Sequence, residues 1–387
     1  MRWRILVLLF LARVGLGLQF QTLASVGDDL VVAFGLDYAG IGLLIGLFMA
    51  PGLFLAIPAG YWARYVSDRH MVVLGLGALA FGGLVSAGAV DSWTIGAGRV
   101  LAGIGFLFAT LYLTKMVADW FQGREIATAM SLLVMSWPFG IAMGQLGYAW
   151  ISDAFGWHIP FQIASIYCAL AAVGVLIFYK DPDDLAPVKH DGASARLTGQ
   201  EWRLILIAGS AWGAINAGYI IYLSFGPKVL EALGHSALAA AGTISVGSWV
   251  MIASGALCGQ IADRSGQRMT ILFICMTTAS AALLLLSLPG AGLGASLLFG
   301  LIGMAPAGII MALAGEAVRP QARAFGTGVF LTVYYAFTWV APPAAGAILD
   351  ATGSIQGPIW LAILLFAAVI PLAIAYQREN GHPVVMT

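Results

Sequence analysis

One arginine, Arg13, lies where its charge constrains the function of the chain. It sits about ten residues into an apolar run, which in a helix places its guanidinium roughly 15 Å deep, near the middle of a bilayer. A charge at that depth costs several kcal/mol unless it meets water or an opposite charge. No acidic residue lies at a comparable depth in any apolar run. We therefore predict that Arg13 faces a wet cavity and binds an anionic solute; the alternative is a structural arginine bonded to backbone carbonyls.

Two further cations, Arg99 and Lys115, share the fourth apolar run. At 100° per residue they lie about 160° apart around a helix, so both cannot face one cavity. Lys115 is close to the end of the run, where its ammonium either reaches the lipid headgroups or adds a second positive charge to an anion path. Arg99 lies nearer the outer membrane face.

Uncharged polar and aromatic residues of the apolar runs complete the predicted solute site. Asn216, the one asparagine inside such a run, either hydrogen-bonds a solute or stabilises a bend. Each aromatic residue taken alone is explained by packing. With Arg13, Lys115 and Asn216, the predicted solute-binding residues are Gln21, Tyr112, Tyr219, Trp249, Tyr334, Tyr335 and Trp339.

The composition indicates which kind of fold must position these residues. Hydrophobic residues make up 60% of the 387-residue chain and charged residues only 9%, against about 25% in soluble domains. The mean hydropathy is +0.92. Such a chain cannot cover itself with a solvated surface, so the sequence predicts an all-α polytopic membrane protein. The net charge of +0 argues against a large nucleic-acid-binding surface.

The sequence lacks the motifs of common enzymes and cofactor sites. It contains no phosphate-cradling G-x-x-x-x-G-K-[ST], no metal-binding H-E-x-x-H and no G-x-S-x-G nucleophile elbow. Its three cysteines, Cys168, Cys258 and Cys275, lie in apolar runs without metal or disulfide spacing. We therefore expect no enzyme activity, no cofactor or metal, and no ATP-driven step.

Twelve apolar runs are long enough to cross a bilayer, which takes about 20 residues. They divide six and six around one polar connector, Lys180–Glu201, which is predicted to be a flexible linker. The predicted domains are a six-helix bundle at 1–180, a cytoplasmic linker at 181–200 and a second six-helix bundle at 201–387. Arginines ahead of the first run resemble a signal peptide, but the run is too long for one and is interpreted as a retained helix. The runs lie near 4–26, 38–62, 70–90, 94–117, 126–151, 158–179, 202–224, 238–262, 269–288, 293–314, 324–349 and 357–377.

Lysine and arginine are unevenly shared between the two sets of loops. With the N-terminus inside, nearly all of them fall in inner loops, and Lys228 alone falls in an outer one. Outer loops carry aspartates instead, such as Asp28, Asp37 and Asp350. Because cytoplasmic loops are the basic ones, both termini are predicted to be cytoplasmic, in a bacterial inner membrane.

A compact charged loop, Gly259–Arg268, separates two apolar runs of the second half. It reads Gly-Gln-Ile-Ala-Asp-Arg-Ser-Gly-Gln-Arg, in which glycine permits a sharp turn and the charges hold that turn in water. A degenerate copy, Gly60–Arg69, lies 199 residues earlier, and the same offset separates Arg124 from Arg323. Two landmarks at one offset indicate two similar halves, as in transporters built from parallel repeats.

With these motifs the sequence resembles the major facilitator superfamily over essentially its whole length. Gly259–Arg268 is close to that family's G-x-L-A-D-R-x-G-R-R loop, Arg99–Gly105 resembles its fourth-helix motif, and Trp137–Gly140 resembles part of its fifth-helix motif. The resemblance implies twelve spanning helices in two bundles that open a central solute cavity alternately to the two sides. It also implies that the second spanning helix abuts the eleventh and that the eighth abuts the fifth, counted along the twelve runs. For Arg99 it implies a gating or coupling role.

In that family the loop acid sits against a helix N-terminus of the opposite bundle and locks the cytoplasmic side shut. The helix dipole favours an acid there by about 0.3–1 kcal/mol when exposed. Asp263 can serve at the start of helix 5, reinforced by Arg124, whereas the matching position of the first half holds Arg64, which Arg323 would repel. Glu316 is the nearest acid that could compensate. We predict a lock that is strong between helices 8 and 5 and weak or rewired between helices 2 and 11; the alternative is that these charges only anchor loops.

The predicted gating and coupling residues lie at helix ends beside these loops or belong to the fourth-helix motif. They are Arg64, Asp68, Arg69, Arg99, Arg124, Glu125, Gly259, Asp263, Arg264, Arg268, Glu316 and Arg323. Proton symporters generally hold an acid or a histidine deep in a helix, whereas the acids of this chain lie at helix ends and in loops. This pattern favours exchange, facilitated passage, or a proton carried by the solute itself.

The sequence therefore predicts a monomeric secondary transporter of a small organic or inorganic anion, whose partners are that solute and the lipid bilayer. Nitrate, cyanate and monocarboxylate permeases all remain open as subfamilies. One alternative is a proton-linked exporter of drugs or hydrophobic metabolites, in which Arg13 would be structural. Another is a transporter-like sensor or scaffold that moves no solute, which the short loops and the lack of an appended domain disfavour.

Replacement of Asp263 by asparagine tests the predicted lock. Because an amide lacks the charge that a helix N-terminus favours, we expect Asp263→Asn to lower transport and to shift the ratio of inward-open to outward-open molecules. Spin-label distances between the two bundles measure that ratio. Unchanged transport and an unchanged ratio would rule out the lock.

Overall fold

The computed structural model describes residues 2–62, 66–121, 125–182, 197–319 and 322–381. Within these ranges, the backbone but not the side chain is described for residues 60–62, 127, 256, 263, 323 and 324. Every regular element of the described ranges is a helix, which confirms the prediction of an all-α fold.

Fifteen α-helices follow one another along the described residues. In the first half they are α1 (Arg2–Ser25), α2 (Gly27–Phe34), α3 (Tyr38–Leu47), α4 (Ala50–Trp62), α5 (Asp68–Ala87), α6 (Ser92–Trp120), α7 (Ile126–Phe155) and α8 (His158–Phe178). In the second half they are α9 (Gly199–Ala232), α10 (Ala237–Ser265), α11 (Arg268–Leu286), α12 (Gly292–Leu298), α13 (Ala307–Glu316), α14 (Arg323–Thr352) and α15 (Gly357–Glu379). A π-helical turn, Phe299–Gly303, follows α12.

Most of these helices are long and apolar enough to lie across a membrane. Among the described residues, eleven helical segments combine sufficient length with high hydropathy; α3 with α4 forms one of them, and the α12–α13 region another. The helix α14 has 30 residues but includes tyrosines, threonines, a tryptophan and two prolines, which lower its hydropathy. With α14, these segments correspond to the twelve predicted runs.

By their contacts the residues fall into two compact units. The first comprises Met1–Gly35 and Leu47–Gly192, and the second comprises Leu36–Gly46 and Ala193–Thr387. The helix α3, expected from sequence in the first bundle, is thus grouped with the second unit.

In the first unit α1 packs against α7 and α8, and α5 packs against α6 and α8. The backbones of α1 and α7 come very close. A Cβ atom on Gly17 would lie 2.4 Å from the carbonyl oxygen of Trp137, and one on Gly140 would lie 2.3 Å from that of Val14. Small residues allow such close crossings of membrane helices. Because Arg13 lies one helical turn before Gly17, this crossing sets its position.

The start of α6, which carries Arg99, Tyr112 and Lys115, is fixed by Asp91. The Asp91 carboxylate accepts hydrogen bonds from the hydroxyl and the backbone N–H of Thr94, both at 2.7 Å. These two bonds, the hydroxyl first, hold the pKa of Asp91 below its usual value. The cap is therefore charged at neutral pH and stabilises the first turn of α6.

In the second unit α9 packs against α14 and α15. The helix α3 joins this unit because Asp350 of α14 accepts hydrogen bonds from the backbone N–H groups of Tyr38 (3.1 Å) and Ala39 (2.7 Å) at its start. Further along, a Cβ atom on Gly42 would lie 2.2 Å from the carbonyl oxygen of Pro342. A capped N-terminus and a close backbone contact therefore hold α3 against α14.

The π-helical turn lies at membrane depth, where irregular backbone must be satisfied by protein. The hydroxyl of Ser254 on α10 donates to the carbonyl of Gly300 at 2.6 Å. The N–H of Met304 bonds to the carbonyl of Phe299 at 2.9 Å. These bonds make the local departure from the α-helix possible and place the ring of Phe299 in the interior of the second unit.

Alanine in place of Gly17 tests the α1–α7 crossing. In a helix interior, alanine is favoured over glycine by about 1 kcal/mol, but here its Cβ would meet a backbone oxygen. Overpacking of this kind costs about 1–3 kcal/mol, so we expect Gly17→Ala to lower the melting temperature of the purified protein. The control is Gly77→Ala on α5, where nothing lies within 4 Å of the added Cβ; it should melt at or above the wild-type temperature. Equal melting of the two variants would contradict the close crossing.

Candidate functional site

Arg13 lies in the interior of the first unit, with 8% of its surface exposed. Its Nη1 donates to the carbonyl oxygen of Leu133 on α7 at 3.0 Å. The hydroxyl of Ser136 donates to the same oxygen at 2.5 Å. The structure thus provides the backbone-carbonyl contact of the structural alternative. Because a carbonyl is uncharged and arginine stays protonated in proteins, this bond orients the guanidinium without neutralising it.

Four aromatic rings lie together beside this crossing of α1 and α7. They belong to Phe20, Phe48, Phe106 and Trp137, and neighbouring ring centroids are 5.1–5.6 Å apart. Three of the rings are buried, whereas that of Trp137 is partly exposed. Most of these contacts are edge-to-face, the geometry that aromatic pairs prefer.

Arg99 supports the same region from α6. Its guanidinium is almost fully buried, and Nη1 donates to the carbonyl of Gln19 at 3.0 Å. The guanidinium carbon lies 4.4 Å from the centre of the Phe48 ring, which is a cation–π contact. Arg99 therefore joins α6, α1 and the residues between α3 and α4. Its gating or coupling role stays a prediction.

Three other predicted solute-binding residues of the first unit bond to protein groups away from Arg13. Gln21 lies two helical turns beyond Arg13 on α1, and its amide donates to the hydroxyl of Ser25 at 3.1 Å. The Tyr112 hydroxyl donates to the carbonyl of Ala59 at 3.2 Å. Lys115 donates to both carboxylate oxygens of Asp68 at 2.8 Å. These three bonds do not involve Arg13, whose Nη1 bonds to α7.

The Lys115–Asp68 ion pair joins the ends of α6 and α5. The Asp68 side chain is 13% exposed and that of Lys115 is 46% exposed. Asp68 was predicted as a gating residue and Lys115 as a solute-binding one. The structure brings these two residues, 47 positions apart in the chain, into one pair.

In the second unit, residues predicted on α9 and α14 come together. The Asn216 amide donates to the carbonyl of Trp212 one turn earlier on α9, at 2.8 Å. The ring of Trp212 lies 6.4 Å from that of Tyr334, which in turn lies 4.8 Å from that of Tyr335. The Asn216 bond lies within α9, so solute binding by Asn216 stays a prediction beside its alternative, the stabilisation of a bend.

A second group of the same unit surrounds Tyr219. Its hydroxyl bonds to the hydroxyl of Ser248 on α10 at 2.7 Å. The rings of Tyr222 and Phe299 stack at 4.2 Å. Sequence analysis did not single out Phe299, because the π-helical turn that places it has no clear sequence signal.

Two predicted aromatic residues lie apart from this group. Trp249 on α10 is 36% exposed. The indole of Trp339 on α14 packs on Gly46 of α3, where an added Cβ would lie 3.2 Å from the ring.

Several predicted gating residues are bound at helix ends. Glu316 pairs with Arg268 at 3.1 Å in the second unit, and Glu125 pairs with Arg2 at 2.8 Å in the first. The Arg69 guanidinium donates to the carbonyl of Leu176.

Other gating residues have no described contact that bears on the lock. Arg264 is exposed, and the space beside Gly259 is open. Arg64 and Arg124 lie outside the described residues, as do the side chains of Asp263 and Arg323, so the asymmetric lock stays a prediction.

Sequence analysis missed a cluster at the start of α9. Thr198 and Glu201 form a reciprocal capping box, with bonds of 3.2 and 2.8 Å. The Glu201 carboxylate also accepts from the backbone N–H and the Nε of Arg319, at 2.9 and 2.8 Å. The spacing Thr-x-x-Glu is a signal for this cap, but the Arg319 partner, 118 residues away, has none.

The described residues hold no group of three or more histidine, cysteine, aspartate or glutamate side chains that could bind a metal ion. The α1–α7 crossing brings together the Arg13 guanidinium, the Ser136 hydroxyl, the Leu133 carbonyl and, beside them on the same helices, aromatic rings. This arrangement can hold a small anion with an apolar body.

Comparison with known proteins shows the family. Residues 9–340 match the Major Facilitator Superfamily. The chain is 24% identical to the gallate transporter of Pseudomonas putida over 87% of this chain and 80% of that protein. It is 25% identical to the cis,cis-muconate transport protein of Acinetobacter baylyi over 72% of this chain and 70% of that protein.

A third relative matches over a shorter region. This is the 4-hydroxybenzoate transporter PcaK of Acinetobacter baylyi, 24% identical over 46% of this chain. The match spans 39% of that protein, less than two thirds of its length.

Two solved structures share the fold. One is a bacterial homologue of the human lysosomal transporter Spinster, with a TM-score of 0.77, 18% identity and coverage of 99% of this chain and 97% of that one. The other is the nucleoside transporter NupG, with a TM-score of 0.76, 15% identity and coverage of 96% and 98%. At these identities the likeness concerns the fold alone. Together with the match over residues 9–340, it places the chain in the Major Facilitator Superfamily, as a multi-pass membrane transporter and not an enzyme.

Proposed function

We propose that this protein is a secondary transporter of a small organic anion and that Arg13 is its main charge partner. The observation that carries the proposal is a guanidinium in the interior of a membrane helix whose Nη1 bonds to an uncharged carbonyl. An ionisable residue kept at that depth of a membrane protein commonly marks the path of a solute or ion. A carboxylate is the group that a planar guanidinium binds best, through paired N–H donors.

The relatives support an organic rather than an inorganic anion. The solutes in their names are gallate, 4-hydroxybenzoate and cis,cis-muconate. All three are carboxylates with an unsaturated carbon skeleton. The aromatic rings at the α1–α7 crossing suit such a skeleton, because they supply apolar contact at the helix crossing that carries Arg13.

The proposal includes the placement of the chain in the membrane. The surplus of lysine and arginine in one set of loops supports an inner-membrane protein with both termini in the cytoplasm. Transport would proceed by alternating access of two bundles around the solute site. The acids at helix ends and in loops favour exchange, facilitated passage or a proton carried by the solute.

Neutralisation of Arg13 tests the proposal. Loss of a charge-assisted hydrogen bond costs about 1.5–3 kcal/mol, so we expect Arg13→Gln to raise the KM for the transported acid about 10- to 100-fold. Arg13→Lys keeps the charge but not the planar fork and should lie between that variant and the wild type. The measurement is uptake of radiolabelled 4-hydroxybenzoate, gallate and cis,cis-muconate into proteoliposomes.

The matched control is Arg203→Gln, which removes the same charge from an exposed pair with Glu379 at the start of α9. It should transport like the wild type, because surface ion pairs contribute little. An Arg13→Gln variant with unchanged KM for every acid would contradict the proposal. Export of uncharged compounds by that variant would favour the alternative of a drug or metabolite exporter. Failure of counterflow for every solute would favour a sensor or scaffold.

A further inference from the structure

Trp137 differs from the other three rings of its cluster. Phe20, Phe48 and Phe106 are buried, whereas the indole of Trp137 is partly exposed at membrane depth. Contacts with Phe20 (5.6 Å, 71°) and Phe106 (5.1 Å, 75°) fix the plane of the indole. Packing therefore holds in place a large ring whose remaining surface is open to contact.

The register of α1 and α7 places Arg13 and Trp137 at the same helix crossing. Arg13 bonds to the carbonyl of Leu133, and Gly17 lies against the carbonyl of Trp137. Residues four apart lie on the same helix face, on successive turns about 5.4 Å apart. Arg13 and Trp137 are thus residues of neighbouring turns at one helix crossing, and a solute bound at Arg13 lies within reach of the Trp137 side chain.

This spacing suits an anion that carries its carboxylate directly on a ring. When the carboxylate meets a guanidinium, the ring extends beyond it along the crossing, and an indole beside that ring can stack on it or meet it edge-on. A planar aliphatic acid can use the guanidinium, but it has no ring for the indole to recognise.

We propose that Trp137 determines specificity, as the surface that recognises the ring of an aromatic carboxylate bound at Arg13. The inference rests on the proposed function, because it assumes that Arg13 holds the carboxylate. It adds the preferred substrate class, a benzoate-type anion, and the residue that selects it.

Two acids test the inference: 4-hydroxybenzoate, which carries its carboxylate on a ring, and cis,cis-muconate, which has no ring. Aromatic pair contacts correspond to about two- to tenfold in binding. We expect Trp137→Leu to raise the KM for 4-hydroxybenzoate three- to tenfold and to change that for muconate less than twofold. Trp137→Phe, which keeps a ring, should restore most of the preference. A variant that merely packs poorly would alter both KM values together, so the ratio of the two is the decisive quantity.

The matched control is Trp150→Leu on the same helix, where the indole is 55% exposed and pairs with Phe155. It should leave the ratio unchanged. If Trp137→Leu does not fold, as judged by its melting temperature, the flexible Trp137→Met serves as the variant without a ring, and Trp137→Phe and Trp137→Tyr serve as the variants that keep one. A ratio unchanged across the series would overturn the inference.

The outcomes separate the inference from the proposed function. If both acids are transported and Arg13→Gln raises the KM for both about 10- to 100-fold, but the Trp137 variants keep the wild-type ratio, only the inference fails. If the wild type transports neither acid, the proposed function fails and the inference falls with it.

Discussion

The bond from the Arg13 guanidinium to the carbonyl of Leu133, where α1 crosses α7, is the interaction on which the interior of the first unit depends. A charge at this depth must be held by polar groups or it destabilises the helix that carries it. The crossing provides a carbonyl at the right height only because Gly17 and Gly140 let the two backbones touch. Arg99 bonds from α6 to the Gln19 carbonyl of α1, and its guanidinium lies over the Phe48 ring of the aromatic cluster.

The polar groups described around Tyr219 and Asn216 in the second unit are uncharged, in contrast to Arg13 and Arg99 of the first. Among the described interior groups of the second unit, the hydroxyls of Tyr219 and Ser248 bond to each other, and the amide of Asn216 bonds to a helix carbonyl. These uncharged groups can hydrogen-bond a solute without opposing its charge. An anion transporter built on this plan would carry its positive charge in the first bundle and neutral polar contacts in the second.

The sequence predicted the parts of this arrangement that depend on one segment at a time. Hydropathy over about 20 residues gives the position of each span, and the depth of Arg13 follows from its place in the first one. Partners from distant segments could not be predicted. The sequence gives no sign that Lys115 pairs with Asp68 or Glu316 with Arg268, because helix periodicity fixes a face of a helix and not what packs on it.

The grouping of α3 with the second unit could not be predicted for the same reason. The polar group that caps α3 belongs to Asp350, more than 300 residues along the chain. The π-helical turn at Phe299 likewise follows from packing around Ser254 and Gly300. In each case a tertiary contact overrides what the local sequence indicates.

The central claim is that the positive charge on α1 recognises the carboxylate of the solute. Calorimetric titration of the purified protein with 4-hydroxybenzoate and with its uncharged analogue 4-hydroxybenzamide tests it most directly, because the two ligands share ring and hydroxyl. The account predicts that the carboxylate binds and that the amide binds at least tenfold more weakly. Equal affinity for the two would contradict it.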